Sequence, residues 1–174
     1  MPDWAGHLAR YRVPLGFVFG AAALWLARPT WPRLALGAAV AMCGEAFRVW
    51  ASGHLKKGRE VTQSGPYRLT RHPLYVGSSV IGVGLVIAAA HIVVAILVAV
   101  YLGIIVTAAI RTEEAVLRER FGDEYTKYRD SVTSASSSRP FTIASAIQNR
   151  EHRAIAGLLL AVALLALKIR WLSR

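Results

Sequence analysis

The residues best suited to chemistry begin with a short polar segment at positions 65–77 of this 174-residue chain. Its Gly-Pro pair predicts a turn, and Pro73 suits the first turn of a following helix. His72 would then lie at the entrance of that helix, with Tyr75 just inside it. Since a helix N-terminus offers backbone N–H groups and the positive end of a dipole, this segment could hold an anionic ligand group. The alternative is that its basic side chains only anchor the chain to lipid phosphates.

A second polar segment, residues 111–128, contains the adjacent carboxylates Glu113 and Glu114. Two carboxylates at the end of an apolar helix are costly to desolvate unless cations neutralise them. Arg71 and His72 of the first segment are the candidate partners. The sequence therefore predicts that the two polar segments meet, provided that the elements between them form a hairpin.

Those elements are membrane helices. Hydrophobic residues make up 55% of the chain, charged residues 18%, and the mean hydropathy is +0.41, whereas soluble domains carry about 25% charged residues. Since a bilayer core needs roughly 20 apolar residues as helix, we predict an all-α, polytopic integral membrane helix bundle. It has a single domain over residues 1–174, with a motif region at 45–132 and a C-terminal helix at 151–174. About five transmembrane helices are expected, at residues 13–27, 34–50, 75–90, 92–110 and 154–172.

The basic residues indicate the orientation of these spans. Fifteen Lys and Arg residues flank one side of the predicted bundle and five flank the other. Cytoplasmic loops carry the excess of positive charge, so we expect a cytoplasmic N-terminus and a cytoplasmic site in the inner or plasma membrane. Topology thus explains the net charge of +11, and no basic-aromatic motif supports nucleic-acid binding. The single cysteine, Cys43, excludes a disulfide or a thiolate metal site within one chain, and no metal is predicted.

The two polar segments together carry a family resemblance. Gly-Pro-Tyr-x3-Arg-His-Pro-x-Tyr-x-Gly followed by Glu-Glu-x2-Leu-x3-Phe-Gly-x2-Tyr-x2-Tyr resembles the isoprenylcysteine carboxyl methyltransferases and their relatives, the phospholipid N-methyltransferases. The resemblance implies an integral membrane enzyme that uses S-adenosylmethionine without a Rossmann domain. In agreement, the Gly82 and Gly84 pair lies within an apolar run and lacks the third glycine of the dinucleotide fingerprint.

The resemblance also implies which residues contact the cofactor. His72 and the helix start suit the carboxylate of S-adenosylmethionine, Glu113 or Glu114 its ammonium or ribose, and an aromatic face of Tyr67 or Tyr75 its sulfonium. The full set that the resemblance assigns to cofactor binding is Arg59, Glu60, Val61, Thr62, Tyr67, His72, Pro73, Leu74, Tyr75 and Glu113.

The acceptor is less constrained by the sequence. We expect a lipophilic molecule that enters from the bilayer, foremost the carboxylate of an isoprenylcysteine-like substrate, held by Arg111 or Arg48. Relatives carry an arginine where this chain has Ala109, and Arg111 is the nearest substitute. An amine acceptor would need Glu114 as a general base, so Arg111 and Glu114 are the predicted catalytic residues. Arg48 could instead form a structural ion pair with Glu45, one helical turn away.

Three competing functions remain open at this stage. Phospholipid N-methylation is the nearest, and integral membrane sterol reductases carry a related first segment but lack the second. A small transporter or membrane scaffold would place polar groups near the span centres, whereas here they gather at one surface. The sequence does not give the oligomeric state.

Overall fold

A computed structural model describes residues 16–56, 60–130 and 140–173 of the chain. These described residues are helical and contain no strand, which confirms the all-α prediction and leaves no place in them for a Rossmann sheet. The elements are α1 (Gly16–Leu26), α2 (Trp31–His54), a 3₁₀ turn (Gly65–Arg68), α3 (Pro73–Ala89), α4 (Ile92–Asp130), α5 (Ile143–Gln148) and α6 (Glu151–Leu172).

Prolines and one left-handed residue set the helix ends where the sequence predicted breaks. α2 begins at Trp31 with Pro32 in its first turn. α3 begins at Pro73 and ends where Ala90 adopts a φ of 55°, and α4 starts two residues later. The tight turn makes α3 and α4 a hairpin, so the segments before α3 and after the apolar part of α4 lie at the same end of the bundle.

Small residues let α2 and α3 approach each other closely. A Cβ added at Gly44 would lie 2.8 Å from the carbonyl oxygen of Gly77. About two helical turns away, Gly37 of α2 and Gly84 of α3 face each other in the same way. Stripes of small residues are typical of helix pairs that pack within a membrane, where backbone contact replaces the hydrophobic effect. This contact fixes α3, and therefore the entrance residue His72, relative to α2.

The end of the bundle opposite the two polar segments is closed by an apolar core. The Lys168 side chain of α6 donates to the carbonyl oxygens of Leu24 and Trp25, at 2.7 and 2.6 Å, and so joins α6 to the end of α1. The backbone N–H of Arg28 donates to the carbonyl of Ala89 at 2.8 Å. The buried residues of this core are Ala27, Leu34, Ala88, Ala89, Val94, Leu165 and Ile169.

By length and composition, α2, α4 and α6 could each cross a membrane, while α1 and α3 are shorter apolar helices. At about 1.5 Å per residue, the 17 residues of α3 reach roughly 25 Å, slightly less than a hydrocarbon core. The described residues thus contain the five predicted helices, of which three meet the length of a span. The number of helices that span the membrane completely stays a prediction.

Two connections close the bundle at the end that carries the two polar segments, which we call the motif end. α4 continues beyond its apolar part, bends at Gly122 (φ 47°, ψ −117°) and runs on to Asp130 as a polar extension. The side chain of Asn149, just before α6, donates to the carbonyl oxygens of Ser52 and Leu55, both at 2.9 Å. These bonds bring the start of α6 against the end of α2.

Candidate active site

The turn before α3 packs tightly against the end of α2. Gly65 has a φ of 58°, and a Cβ there would lie 2.7 Å from the ring of His54, so this position requires glycine. The chain then reaches His72, the N-cap of α3, whose carbonyl oxygen accepts the backbone N–H of Tyr75 at 3.1 Å. Because the His72 side chain makes no capping bond, its imidazole can contact α4.

Side chains from the α3 entrance and α4 form an ion-pair group that we call the entrance cluster, made of Arg71, His72, Glu113 and Glu114. Oε1 of Glu114 lies 3.3 Å from Arg71 Nη1 and 3.2 Å from His72 Nε2. Oε2 of Glu113 lies 3.9 Å from His72 Nδ1. Arg118, one turn further along α4, places Nη2 3.6 Å from the second oxygen of Glu114. The predicted meeting of the two polar segments is confirmed.

Glu114 lies beyond the apolar part of α4, and its neighbours decide its protonation. Burial would raise the pKa of its carboxyl, but the hydrogen bond from His72 and the charge of Arg71 outweigh burial and hold the pKa below its ordinary value. Glu114 is therefore ionised at neutral pH and is a weak proton acceptor. Its contacts suit a group that orients His72 and Arg71.

Two tyrosines fix the wall beside the entrance cluster. The hydroxyl of Tyr128, on the extension of α4, donates to the carbonyl oxygen of Tyr67 at 2.7 Å in a buried position. Burial raises the pKa of Tyr67, as does the negative charge of Glu113, and burial with the neighbouring Tyr125 raises the pKa of Tyr128 to about 12. Both hydroxyls stay neutral at physiological pH. Val61, Tyr125 and Tyr128 form a small apolar core within this wall.

One cavity of about 1080 Å³ extends from the entrance cluster into the apolar bundle. α4 lines its length, from Tyr101 within the apolar part to Tyr128 on the extension. The motif end is lined by polar side chains, namely Glu60, Thr62, Tyr67, Arg71, His72, Tyr75, Thr112, Glu113 and Arg120. The membrane-level end is lined largely by apolar residues, including Phe17, Leu102, Ile105, Val106 and Ala109. The volume slightly exceeds that of usual small-molecule pockets, which hold about 300–1,000 Å³.

A second group of charges, the buried triad, lies beside this cavity and consists of Glu45, Arg48 and Glu151. Nε of Arg48 donates to Oε1 of Glu151 at 2.7 Å, and its Nη1 donates to the hydroxyl of Ser78. Glu45 is the more distant partner, with Oε2 3.8 Å from Nε. The expected Glu45–Arg48 pair is thus present, but the shorter bond joins α2 to α6.

Residues 11–124, which include the first polar segment and most of the second, match the family model described as phospholipid methyltransferase. The chain belongs to this family. No curated protein and no solved structure matches it in the corresponding comparisons. Membership identifies a membrane methyltransferase and favours an enzyme over the transporter or scaffold that the sequence left open.

The cavity of this methyltransferase collects the residues that the resemblance assigned to the cofactor. Arg59 lies outside the described residues. The nine others all line the cavity: Glu60, Val61, Thr62, Tyr67, His72, Pro73, Leu74, Tyr75 and Glu113. Their meeting on one surface makes a shared ligand physically possible, and their roles stay predictions.

The two predicted catalytic residues are placed differently. Arg111 is exposed and does not line the cavity, although Ala109 and Thr112 on either side of it do. The acceptor contact of Arg111 stays a prediction. Glu114 also lies outside the lining, and it contacts His72 and Arg71, which line the cavity. Arg48, the other predicted acceptor residue, does line the cavity.

Sequence reasoning missed three contributors to the site. Glu151 and Ser78 both hold Arg48, and Tyr128 holds the turn at Tyr67. One signal was available for Glu151, because an acidic residue at the start of an apolar helix suits an arginine buried in another span. Nothing in the sequence singles out Ser78 among the serines of the chain.

Proposed function

We propose that the protein transfers a methyl group from S-adenosylmethionine to a lipophilic acceptor. The observation that carries this proposal is one cavity whose charged motif end continues into an apolar end at membrane level. A cofactor with several charged groups and an acceptor with a hydrocarbon tail need these two surroundings side by side.

The residues of the motif end fit the cofactor group by group. Its carboxylate suits His72 and the first turn of α3, where the helix dipole favours an anion. Its ammonium or ribose hydroxyls suit Glu113, which lines the cavity with its side chain 43% exposed. The rings of Tyr67 and Tyr75 suit the sulfonium through cation–π contact. When bound, the cofactor supplies a methyl group that the positive sulfur already activates.

In this reaction the protein positions the cofactor and the acceptor and excludes water. Glu114 holds the His72 ring and Arg71 at the cavity wall. The bond from Tyr128 to the Tyr67 carbonyl fixes the turn that carries the wall. Neither task requires these side chains to exchange a proton during the reaction.

The acceptor we propose is the carboxylate of an isoprenylcysteine-like molecule. A carboxylate already carries the electron pair that attacks the methyl group, so it needs no general base, which agrees with the weak basicity of Glu114. It does need a cation to hold it. Arg48 lines the cavity, and its Nε and Nη1 donate to protein partners. Since a guanidinium has five N–H groups, donors remain on Nη2.

Phospholipid amines are the second candidate, favoured by one observation. Glu113 lines the cavity and is held only by the 3.9 Å contact with His72 among the ion pairs of the described residues. It is thus less tightly engaged than Glu114 and suits a role as proton acceptor for an ammonium group. Methylated products from S-farnesylcysteine and from phosphatidylethanolamine would separate the two candidates.

Calorimetry of S-adenosylmethionine binding tests the cofactor proposal. We expect His72→Ala and Glu113→Ala each to weaken binding about tenfold, or about 1.4 kcal/mol, because each removes a charge-assisted contact. Glu119→Ala is the matched control, since Glu119 is an exposed carboxylate on the same helix that does not line the cavity. Wild-type protein that gives no binding heat, or folded variants that bind as tightly as wild type, would refute the proposal.

A cytoplasmic motif end is part of this proposal, since the cofactor is made in the cytosol. The fifteen-to-five distribution of basic residues supports it. After replacement of Cys43, a cysteine at the exposed Glu124 should react with a membrane-impermeant maleimide only in inverted vesicles. A cysteine at the exposed Thr30 should react only in intact cells. The opposite pattern would remove the cytosolic route.

A further inference from the structure

A second, smaller cavity opens between α3 and α6, and α2 forms its floor. Its volume is about 240 Å³. We call it the α3–α6 slot, and it is lined by Glu45, Arg48, Ser78, Ile81, Leu85, Ala154, Gly157, Leu158 and Ala161. Four of these residues, namely Arg48, Ser78, Ala154 and Gly157, also line the large cavity. The slot is therefore a side opening that reaches the large cavity at Arg48.

The floor of the slot holds a carboxylate that lacks hydrogen-bond partners. Glu45 is 6% exposed, and neither of its carboxylate oxygens is hydrogen bonded by any described residue. Among the described residues, its one close cation is Arg48, whose Nε already donates to Glu151. Burying a charged group without hydrogen bonds is costly, so these oxygens are suited to accept donors from a ligand.

The formal charges of the buried triad point in the same direction. The triad contains two carboxyl groups and one guanidinium, so one carboxyl group has no cation of its own. A ligand nitrogen with N–H groups would supply both the missing donors and, when protonated, the missing charge. An anionic ligand group beside that nitrogen would meet the remaining Nη2 donors of Arg48. The apolar walls from α3 and α6 suit the start of a hydrocarbon tail.

We infer that the α3–α6 slot binds the head of an amphiphile in which an anionic group and an N–H-bearing nitrogen lie next to each other. Arg48 takes the anion, and Glu45 takes the nitrogen and so determines specificity. The inference rests on the proposed function in one respect, because the same head then passes Arg48 to reach the methyl donor. Both acceptor candidates have these two groups. S-farnesylcysteine carries a carboxylate and an amine, and phosphatidylethanolamine carries a phosphate and an amine.

A purely structural triad would have a different arrangement. If Glu45 served only to hold Arg48, we would expect a hydrogen bond between them, as Arg48 makes with Glu151 at 2.7 Å. Instead the closest approach is 3.8 Å, and the carboxylate faces a cavity. The geometry thus assigns anchoring to Glu151 and ligand contact to Glu45.

Binding to the detergent-purified protein without S-adenosylmethionine tests this inference. The probes are two pairs that differ in the nitrogen, S-farnesylcysteine against S-farnesylthiopropionate and phosphatidylethanolamine against phosphatidylethanol. We expect the wild type to prefer the nitrogen-bearing member of at least one pair about tenfold, and Glu45→Gln to reduce that preference to about twofold. The pair that shows the preference identifies the source of the head. Equal affinity for both members in the wild type, or an unchanged preference in Glu45→Gln, would overturn the inference.

A steric pair of variants keeps the test decisive if Glu45→Gln does not fold. A Cβ at Gly157 or at Gly103 would meet nothing within 4 Å, so both helices accept a larger residue. Gly157 lines the slot where it joins the large cavity, whereas Gly103 is exposed on α4 and lines neither cavity. We expect Gly157→Phe to abolish probe binding and Gly103→Phe to leave it unchanged. Probe binding that survives Gly157→Phe would overturn the inference.

Calorimetry with S-adenosylmethionine on the same preparations separates the two hypotheses. If the cofactor does not bind but the nitrogen preference is present and depends on Glu45, the proposed function fails and the slot stands. If the cofactor binds but the preference is absent, the slot fails and the proposed function stands.

Discussion

The entrance cluster and the buried triad are both ion-pair groups that join two helices, yet they differ in balance and in exposure. In the entrance cluster, Arg71 and the neighbouring Arg118 face two glutamates, and the Arg71 side chain is 37% exposed. In the buried triad, one arginine faces two carboxylates whose side chains are 8% and 5% exposed. A balanced, partly exposed group can exchange partners with a charged cofactor at smaller cost, whereas an unbalanced group with two buried carboxylates depends on every member.

Removing the arginine from each group should therefore have very different effects on stability. Arg48→Met leaves two buried carboxylates without a cation, and we expect it to lower the free energy of unfolding by about 3 kcal/mol. Arg71→Met removes a partly exposed partner from Glu114, which keeps His72 and Arg118, so we expect a loss of about 1 kcal/mol or less. Unfolding in mixed detergent and dodecyl sulfate micelles, followed by tryptophan fluorescence, measures both.

The control for this comparison neutralises the whole triad. A variant with Glu45→Gln, Arg48→Met and Glu151→Gln has no uncompensated buried charge, so it should regain most of the stability that Arg48→Met loses. Equal losses in Arg48→Met and Arg71→Met, or no recovery in the triple variant, would show that exposure and charge balance do not separate the two groups.

The same difference explains why the sequence predicts one group and not the other. The entrance cluster follows from local signals: Pro73 starts a helix, the turn near Ala90 makes a hairpin, and a hairpin brings its two ends together. The buried triad depends on which face of α6 packs against α2, across 103 residues of chain. No short-range pattern fixes that packing, so only the neighbouring Glu45 was anticipated as a partner of Arg48.

The lining of the large cavity shows a second limit. The residues of the first polar segment line this cavity together because a turn and a helix start leave little freedom in where they lie. On α4, the helical phase decides which residues face the cavity. Successive residues turn by about 100°, so Ala109, Thr112 and Glu113 share the cavity face while Arg111 lies almost opposite them. The helical period alone therefore predicts which of these residues share a face of α4.

We expect the smallest effect of a substitution at Arg111, because it lies on the face of α4 away from the cavity. Since Arg111 is exposed and outside the cavity lining, we expect Arg111→Lys to change S-adenosylmethionine affinity and turnover by no more than about twofold. Arg48→Lys should instead weaken binding of the acceptor, because a lysine presents a point charge where the guanidinium binds several partners in fixed directions. The measurement is methyl incorporation from labelled S-adenosylmethionine into S-farnesylcysteine and phosphatidylethanolamine, with calorimetry as the control for cofactor binding. A large loss of turnover in Arg111→Lys with normal cofactor affinity would return the acceptor contact to Arg111, and would mean that α4 rotates or the acceptor approaches from its outer face.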